Sequence, residues 1–175
     1  LISTNRVRLG DIRPDVEVLD GGARVSTAVR IENGDAADSR VTVRAEISGD
    51  EPCGYAEEQC TVSHGGSLGI SLETLLKKPH LWDGVRDPYL YTVKVSLIIG
   101  GECVDSLSKQ FGVRTFGFDR EKGFILNGKP TPLRGVNYHQ DAPKTGWAMS
   151  QKQRERDYSM MRDMGCNAVR MAHYQ

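Results

Sequence analysis

The sequence predicts a mainly β protein. An immunoglobulin-like antiparallel β-sandwich of about seven strands is followed by the truncated βαβ start of a larger α/β domain. Three observations carry this. The first two thirds alternate apolar and polar residues with period two. Turn chemistry punctuates that alternation at short intervals. From about residue 117 the pattern becomes strand, helix, strand.

The alternating stretches are explicit. "ARVSTAVRIEN" puts Val25, Thr27, Val29 and Ile31 on one face. "SRVTVRAEISG" does the same with Val41, Val43, Ala45 and Ile47, and "YTVKVSLIIG" with Val93, Val95, Leu97 and Ile99. One face is therefore buried and one wet, as in antiparallel sheets. The breaks fall at "DGG", "NGD", "HGG" and "GG", residue pairs that tolerate the tight turns of hairpins. Strands are expected near 12–19, 23–32, 40–48, 57–63, 67–73, 90–99 and 102–115, within a sandwich domain over 1–116. The Cys…Trp…Cys core of antibody domains is absent, so the expectation concerns architecture alone.

One long connection, "KKPHLWDGVRDPYLY" at 77–91, interrupts the strands. Trp82, Tyr89 and Tyr91 are close together in it. The favoured reading is that they pin an ordered loop onto the sandwich rim; the alternative is a carbohydrate-binding surface.

Residues 117–175 are expected to form a second, incomplete domain. "GFILNGKPTPLRG" reads as a hairpin, Phe124–Leu126 and Thr131–Leu133 around the "NGKP" turn. "RGVNYH" is a compact strand ending in His139. Ser150 with Gln153 makes an S-x-x-Q capping box that opens a helix through about Met164. Tyr158, Met161 and Met164 lie along one stripe of it, and Gly165 stands where a left-handed C-cap is wanted. "NAVRMA" then supplies a second strand. Such a unit implies parallel pairing and a right-handed crossover. Two parallel strands leave open edges, so the unit reads as the beginning of a larger domain.

Composition narrows the function classes. Among 175 residues, Lys+Arg 23 balances Asp+Glu 23, and no block of like charge stands out. This argues against nucleic acid and membrane surfaces as partners. No apolar run is long enough to span a bilayer. Four cysteines, Cys53, Cys60, Cys103 and Cys166, match no zinc spacing. Buried or reduced thiols are the first reading; a disulfide closing the Cys53–Cys60 loop is the alternative.

The chemistry gathers near the end of the chain. Ligands of parallel sheets and barrels bind at the carboxyl ends of the strands. His139 closes the first strand and Asp141 follows it; Arg170 and His173 close the second. Two imidazoles, a guanidinium fork and a carboxylate on one rim suit a hydroxyl-rich substrate. Imidazole both donates and accepts hydrogen bonds, and arginine holds a neighbouring carboxylate ionised. The plain alternative is that these are capped surface residues. A metal site from His139, Asp141 and His173 is the minor reading, because that spacing is a weak signal. Trp147 in "TGWAM" is placed either to stack on a sugar ring or to plug the mouth of a barrel.

Three blocks then become informative together: "KPHLWDGVRDPYLYTVKVSL", "FGVRTFGFDREKGFILNGKPTPLRGVNYHQD" and "RERDYSMMRDMGCNAVRMAHYQ". They resemble the glycoside hydrolases of family two, which include β-galactosidases, β-glucuronidases and β-mannosidases. The resemblance covers about 77 to 175, and the earlier region is similar in pattern. "HQD" followed by "GWA", and "HYQ" where many relatives carry "HYP", look closest to the bacterial β-galactosidase branch.

The resemblance implies a (β/α)8 barrel that begins near residue 117. It implies that His139 and His173 contact the sugar in the −1 subsite and that Arg170 orients a nucleophilic carboxylate. Asp141 has a counterpart in only part of the family. The implied reaction is retaining hydrolysis of terminal β-galactosides by two glutamates about 5 Å apart. In the family both lie on later strands, and neither Glu121 nor Glu155 takes an equivalent place. The chain is therefore expected to be inactive alone and to need no cofactor. Use of a divalent or monovalent cation by the complete protein is left open. So is the compartment of a bacterial parent: cytoplasmic, periplasmic or secreted. Self-association through the incomplete barrel segment is a further expectation. The competing function is a stand-alone sandwich module that binds carbohydrate or protein, and the competing parents are a β-glucuronidase and a β-mannosidase.

Overall fold

The structure, a computed structural model, describes residues 4–172. The chain divides into two compact units. One comprises the residues up to Asp83 together with Asp87–Thr115; the other comprises Gly84–Arg86 and the residues from Phe116 onward.

The first unit is the sandwich. Its strands are β1 (Val7–Leu19), β2 (Gly22–Asn33), β3 (Ser39–Ser48), β4 (Pro52–Val62), β5 (Ser67–Lys77), β6 (Tyr91–Ile99) and β7 (Glu102–Phe111). They form a three-stranded sheet in the order β1-β2-β5 and a four-stranded sheet in the order β4-β3-β6-β7, all neighbours antiparallel. The alternation sets which residues meet. Val25, Val29 and Ile31 from one sheet share a core with Val43, Ile47, Val93, Val95 and Leu97 from the other. Burying each such side chain contributes about 1.5–3 kcal/mol, so the inner faces hold the sandwich together.

Four boundaries differ from the sequence expectation: β4 starts at Pro52 instead of near 57, β5 runs on to Lys77 instead of 73, and β1 and β7 differ as well. β1 begins at Val7, because Val7 and Leu9 continue the buried face ahead of a bulge between Leu9 and Asp11 that shifts the period. β7 stops at Phe111, because the chain then leaves the sheet: Val113 pairs instead with Leu81 in an isolated parallel bridge. The edge strands β1 and β7 are tied by side chains. Asp105 accepts from the Leu9 amide at 2.8 Å, and Lys109 donates to Asp11 at 2.9 Å. That lysine, with the Ile12 amide second, holds the Asp11 carboxyl below its usual range.

The 77–91 connection is an anchored loop, as the structural reading has it. The Tyr91 hydroxyl accepts from the His80 amide at 2.8 Å, and the Tyr89 hydroxyl accepts from the Asp50 amide at 3.0 Å. His80 stacks on Tyr89 with ring centroids 4.2 Å apart and bonds Asp87 at 2.6 Å. The Arg114 guanidinium lies over the Trp82 ring at 4.6 Å. Gly112 lets the indole approach: a Cβ there would fall 2.8 Å from Trp82 Cβ.

The Cys53–Cys60 disulfide is ruled out by geometry. Both cysteines lie on the single strand β4 and are free. Seven residues of strand separate them by roughly 23 Å, at about 3.3 Å per residue, whereas a disulfide needs Cα atoms closer than about 7 Å.

In the second unit, β8 (Phe116–Asp119), β9 (Gly123–Leu126) and β10 (Lys129–Pro130) form an antiparallel sheet in the order β10-β9-β8. The expected hairpin is thus a three-stranded meander. Its last arm is Lys129–Pro130, not Thr131–Leu133. Asn127 and Gly128 both have positive φ and close a two-residue turn, which pairs Lys129 directly with Leu126. The added strand β8 turns into β9 through Asp119, whose carboxylate accepts from the Lys122 and Glu121 amides at 2.7 and 2.9 Å. Those amides hold that carboxyl below its ordinary range.

The remaining elements are β11 (Gly135–Tyr138), α1 (Gln151–Asp163) and β12 (Ala168–Met171). β11 and β12 pair in parallel, so this is the expected βαβ unit. Ser150 and Gln153 form both halves of the capping box. At the far end Gly165 has φ +83°; its amide reaches Arg162 O at 2.8 Å, and Cys166 N reaches Met161 O at 3.0 Å, a Schellman motif. The expected apolar stripe is not buried. Tyr158 and Met164 are exposed, and no residue of α1 is buried, because a two-stranded sheet offers little surface to pack on.

Candidate functional site

The register of the parallel pair positions the chemistry. Gly135 faces Ala168, Val136 faces Val169, Asn137 faces Arg170 and Tyr138 faces Met171. Successive residues of a strand point to opposite faces. Asn137 and Arg170 therefore share one face, and Tyr138 and Met171 share the other. His139 follows β11 directly, outside the paired residues.

The second face meets the helix. Tyr138 is buried at 6% exposure, and its hydroxyl donates to Asp157 of α1 at 2.9 Å. The Tyr138 and Tyr158 rings are 5.5 Å apart, and the Tyr158 hydroxyl reaches the Met171 sulfur at 3.7 Å. Burial, and then the Asp157 carboxylate, push the Tyr138 phenol up to about 12. The helix thus locks the strand from behind while the other face stays open.

This fixes a pH dependence. The folded state favours the neutral phenol, so the contribution of Tyr138 is full below its ordinary pKa of about 10. It is lost as pH rises from there to about 12. Ultraviolet titration of phenolate absorbance should show one tyrosine ionising near 12, missing in Tyr138→Phe. In Asp157→Asn that step should move down. A Tyr138→Phe titration identical to wild type would contradict the assignment.

On the open face, Arg170 is exposed and its Nη1 donates to Asn137 Oδ1 at 3.5 Å. Arg170 is the third of four residues in β12, so it lies within the strand and not at its end. His139 and Asp141 are exposed in one turn, where the Asp141 amide donates to the His139 carbonyl at 2.9 Å. The structure brings these two together in the turn after β11 and puts Arg170 beside Asn137 within the strand pair. His173 lies outside the described residues. Trp147 is 74% exposed, in a loop where Gln140 Nε2 donates to its carbonyl at 3.3 Å. Lys144, with φ +76°, and an Ala142–Gly146 bridge turn that loop.

Reasoning from the sequence missed Asn137, Tyr138, Asp157 and Asn167. The first sits inside a run read only for its apolar residues. Asp157 lies off the Tyr158, Met161 and Met164 stripe by which the helix was read. Among the described residues, no group of three or more His, Cys, Asp or Glu is placed to hold a metal ion, and no helix is long and apolar enough to cross a membrane.

The described chain is thus a sandwich unit followed by a βαβ unit. The chain belongs to the glycosyl hydrolases of family 2. The model of that family matches residues 7–114, and the family's TIM barrel domain matches residues 119–175. A β-glucuronidase of Bacteroides fragilis is 37% identical over 87% of this chain and 22% of its own length. The β-galactosidase BoGH2A of Bacteroides ovatus is 32% identical over 86% of this chain and 18% of its own. The structure of Bacteroides uniformis β-glucuronidase 2, covalently bound to cyclophellitol-6-carboxylate aziridine, superposes with a TM-score of 0.92. It is 26% identical and aligns with 98% of this chain and 22% of that one. The chain spans about a fifth of the length of these relatives.

Proposed function

We propose that this chain is the sandwich domain and first βαβ of a retaining glycoside hydrolase that cleaves terminal β-linked sugars. The observation that carries the reading is the continuous family match across both units, 7–114 and 119–175. In this reading His139, Asp141, Arg170 and His173 form part of the sugar-binding rim. The two glutamates of retaining hydrolysis, one acid/base and one nucleophile about 5 Å apart, come from strands beyond these 175 residues. The exposed Val169, Met171, Met160 and Met164 then face other elements of the barrel.

The relatives support a β-galactoside and a β-glucuronide about equally, since both names occur among them. The rim serves both substrates at the hydroxyls they share. An imidazole donates to one hydroxyl and accepts from another, while Arg170 keeps the nucleophilic carboxylate charged.

The test is hydrolysis of nitrophenyl β-galactoside and β-glucuronide by the full-length product of the reading frame and by residues 1–175 alone. The full-length protein should turn over one of the two, and the isolated chain should stay at the blank. Release by the isolated chain would refute the placement of the glutamates. Inactivity of the full-length protein on both, and on the corresponding mannoside, would refute the glycosidase reading.

A further inference from the structure

The two strands that carry the rim are joined at their amino ends by one side chain. Asn167 immediately precedes β12. Its Oδ1 accepts from the Arg134 amide at 2.7 Å, and its Nδ2 donates to the Pro132 carbonyl at 3.0 Å. The Asn167 amide also donates to the Arg134 carbonyl at 2.8 Å. One residue further on, Gly135 approaches Ala168 so closely that a Cβ on it would fall 2.7 Å from the Ala168 carbonyl oxygen.

These contacts admit one register. A carboxamide offers an acceptor and a donor on two separate atoms of one short side chain, as the pair Arg134 N–H and Pro132 C=O uses here. Register has a functional consequence here. A slip of one residue moves every side chain of the slipped strand to the other face. Arg170 would leave the face it shares with Asn137 and turn toward the helix side held by Tyr138.

We propose that Asn167 is a positioning residue. By fixing the register of β11 and β12 at their amino ends, it keeps Arg170 beside Asn137 on the open face. The proposal rests on the reading above, in which Arg170 holds a catalytic carboxylate ionised. Asn167 touches neither substrate nor carboxylate and acts through Arg170.

The pH profile of kcat/KM separates positioning from mere stability, because its acid limb reports the carboxylate of the free enzyme. An arginine beside a carboxylate lowers its pKa by about 1–3 units. In the full-length enzyme, Asn167→Ala should therefore move the acid limb up by about one pH unit. It should also lower the plateau roughly tenfold to a hundredfold. Asn167→Asp keeps the acceptor for Arg134 and loses the donor to Pro132, so it should move the limb in the same direction by less. A folded Asn167→Ala or Asn167→Asp enzyme with the wild-type limb, whatever its Tm, overturns the proposal.

Hydrogen exchange in the wild-type protein decides the matter if neither variant folds. The Arg134 amide should exchange slowly, and exchange as fast as an exposed loop amide overturns the lock. Arg170→Gln, which removes the charge, is the control for the underlying reading. If wild type is active and Arg170→Gln leaves the limb unmoved, the reading of Arg170 fails. The register claim then stands or falls on the Arg134 exchange.

Discussion

Arg170→Ala in the full-length enzyme is expected to lower kcat/KM by roughly 10²–10³-fold, the range for losing one preorganised charged donor in an active site. The fall should come mainly in kcat, because an arginine that orients a nucleophile acts in the reaction step more than in sugar binding. Stability should change little. Arg170 is exposed, and its backbone is held in the β11–β12 ladder by partners on either side of it. Its hydrogen bond to Asn137, at 3.5 Å, is too long to contribute much to folding. Arg170→Lys should recover only part of the loss, since lysine is a point charge without the planar fork that matches a carboxylate. Steady-state kinetics on purified variants with matched melting curves checks this. A loss under about threefold in Arg170→Ala would remove the residue from the rim.

Leu97→Ala should have the largest effect on stability. Leu97 is fully buried in β6, an inner strand of the four-stranded sheet, and it faces Val43 on β3. Removing three buried carbons loses their transfer free energy and leaves a cavity between the sheets. Together these cost about 2–5 kcal/mol. With a urea slope of about 1–3 kcal/mol per molar, the midpoint should fall by at least about 0.7 M. Leu133, at 52% exposure, is the matched control, and its alanine variant should stay within about 0.5 kcal/mol of wild type. Equal midpoints for the two variants would mean that the sandwich core is not where the structure puts it.

How much of this is legible in the chain depends on the range of the interaction. The sandwich strands announce themselves because burial on one face writes a period of two into each strand separately. Val25, Val43 and Val95 need no knowledge of one another to be recognised as core. The capping box at Ser150 and the left-handed Gly165 are local too, and both occur where expected. β8 escaped notice because Phe116–Asp119 is four residues long with little buried, so it leaves no alternation to read. The stripe of Tyr158, Met161 and Met164 was visible, but its burial depends on what packs against it.

The site shows the same division. His139, Asp141 and Arg170 stand out because two short, mostly apolar runs both carry such residues toward their carboxyl ends. The residues that place them do not stand out. Asn167 works through Arg134 and Pro132, more than 30 positions away in the chain, and Tyr138 works through Asp157 on the helix. Such pairings arise only when the βαβ unit closes. The register that sets Arg170 beside Asn137 is likewise a property of two strands at once.

The central claim is that this chain contributes the rim of a glycosidase site whose reacting carboxylate comes from elsewhere in the protein. Covalent labelling tests it most directly. Cyclophellitol aziridines of galacto and glucurono configuration would be applied to the full-length protein and to residues 1–175, and the products read by intact mass and peptide mapping. The account predicts one adduct on the full-length protein, on a glutamate outside residues 1–175, and none on the isolated chain. An adduct on Glu121, Glu155 or any other residue of this chain would contradict it.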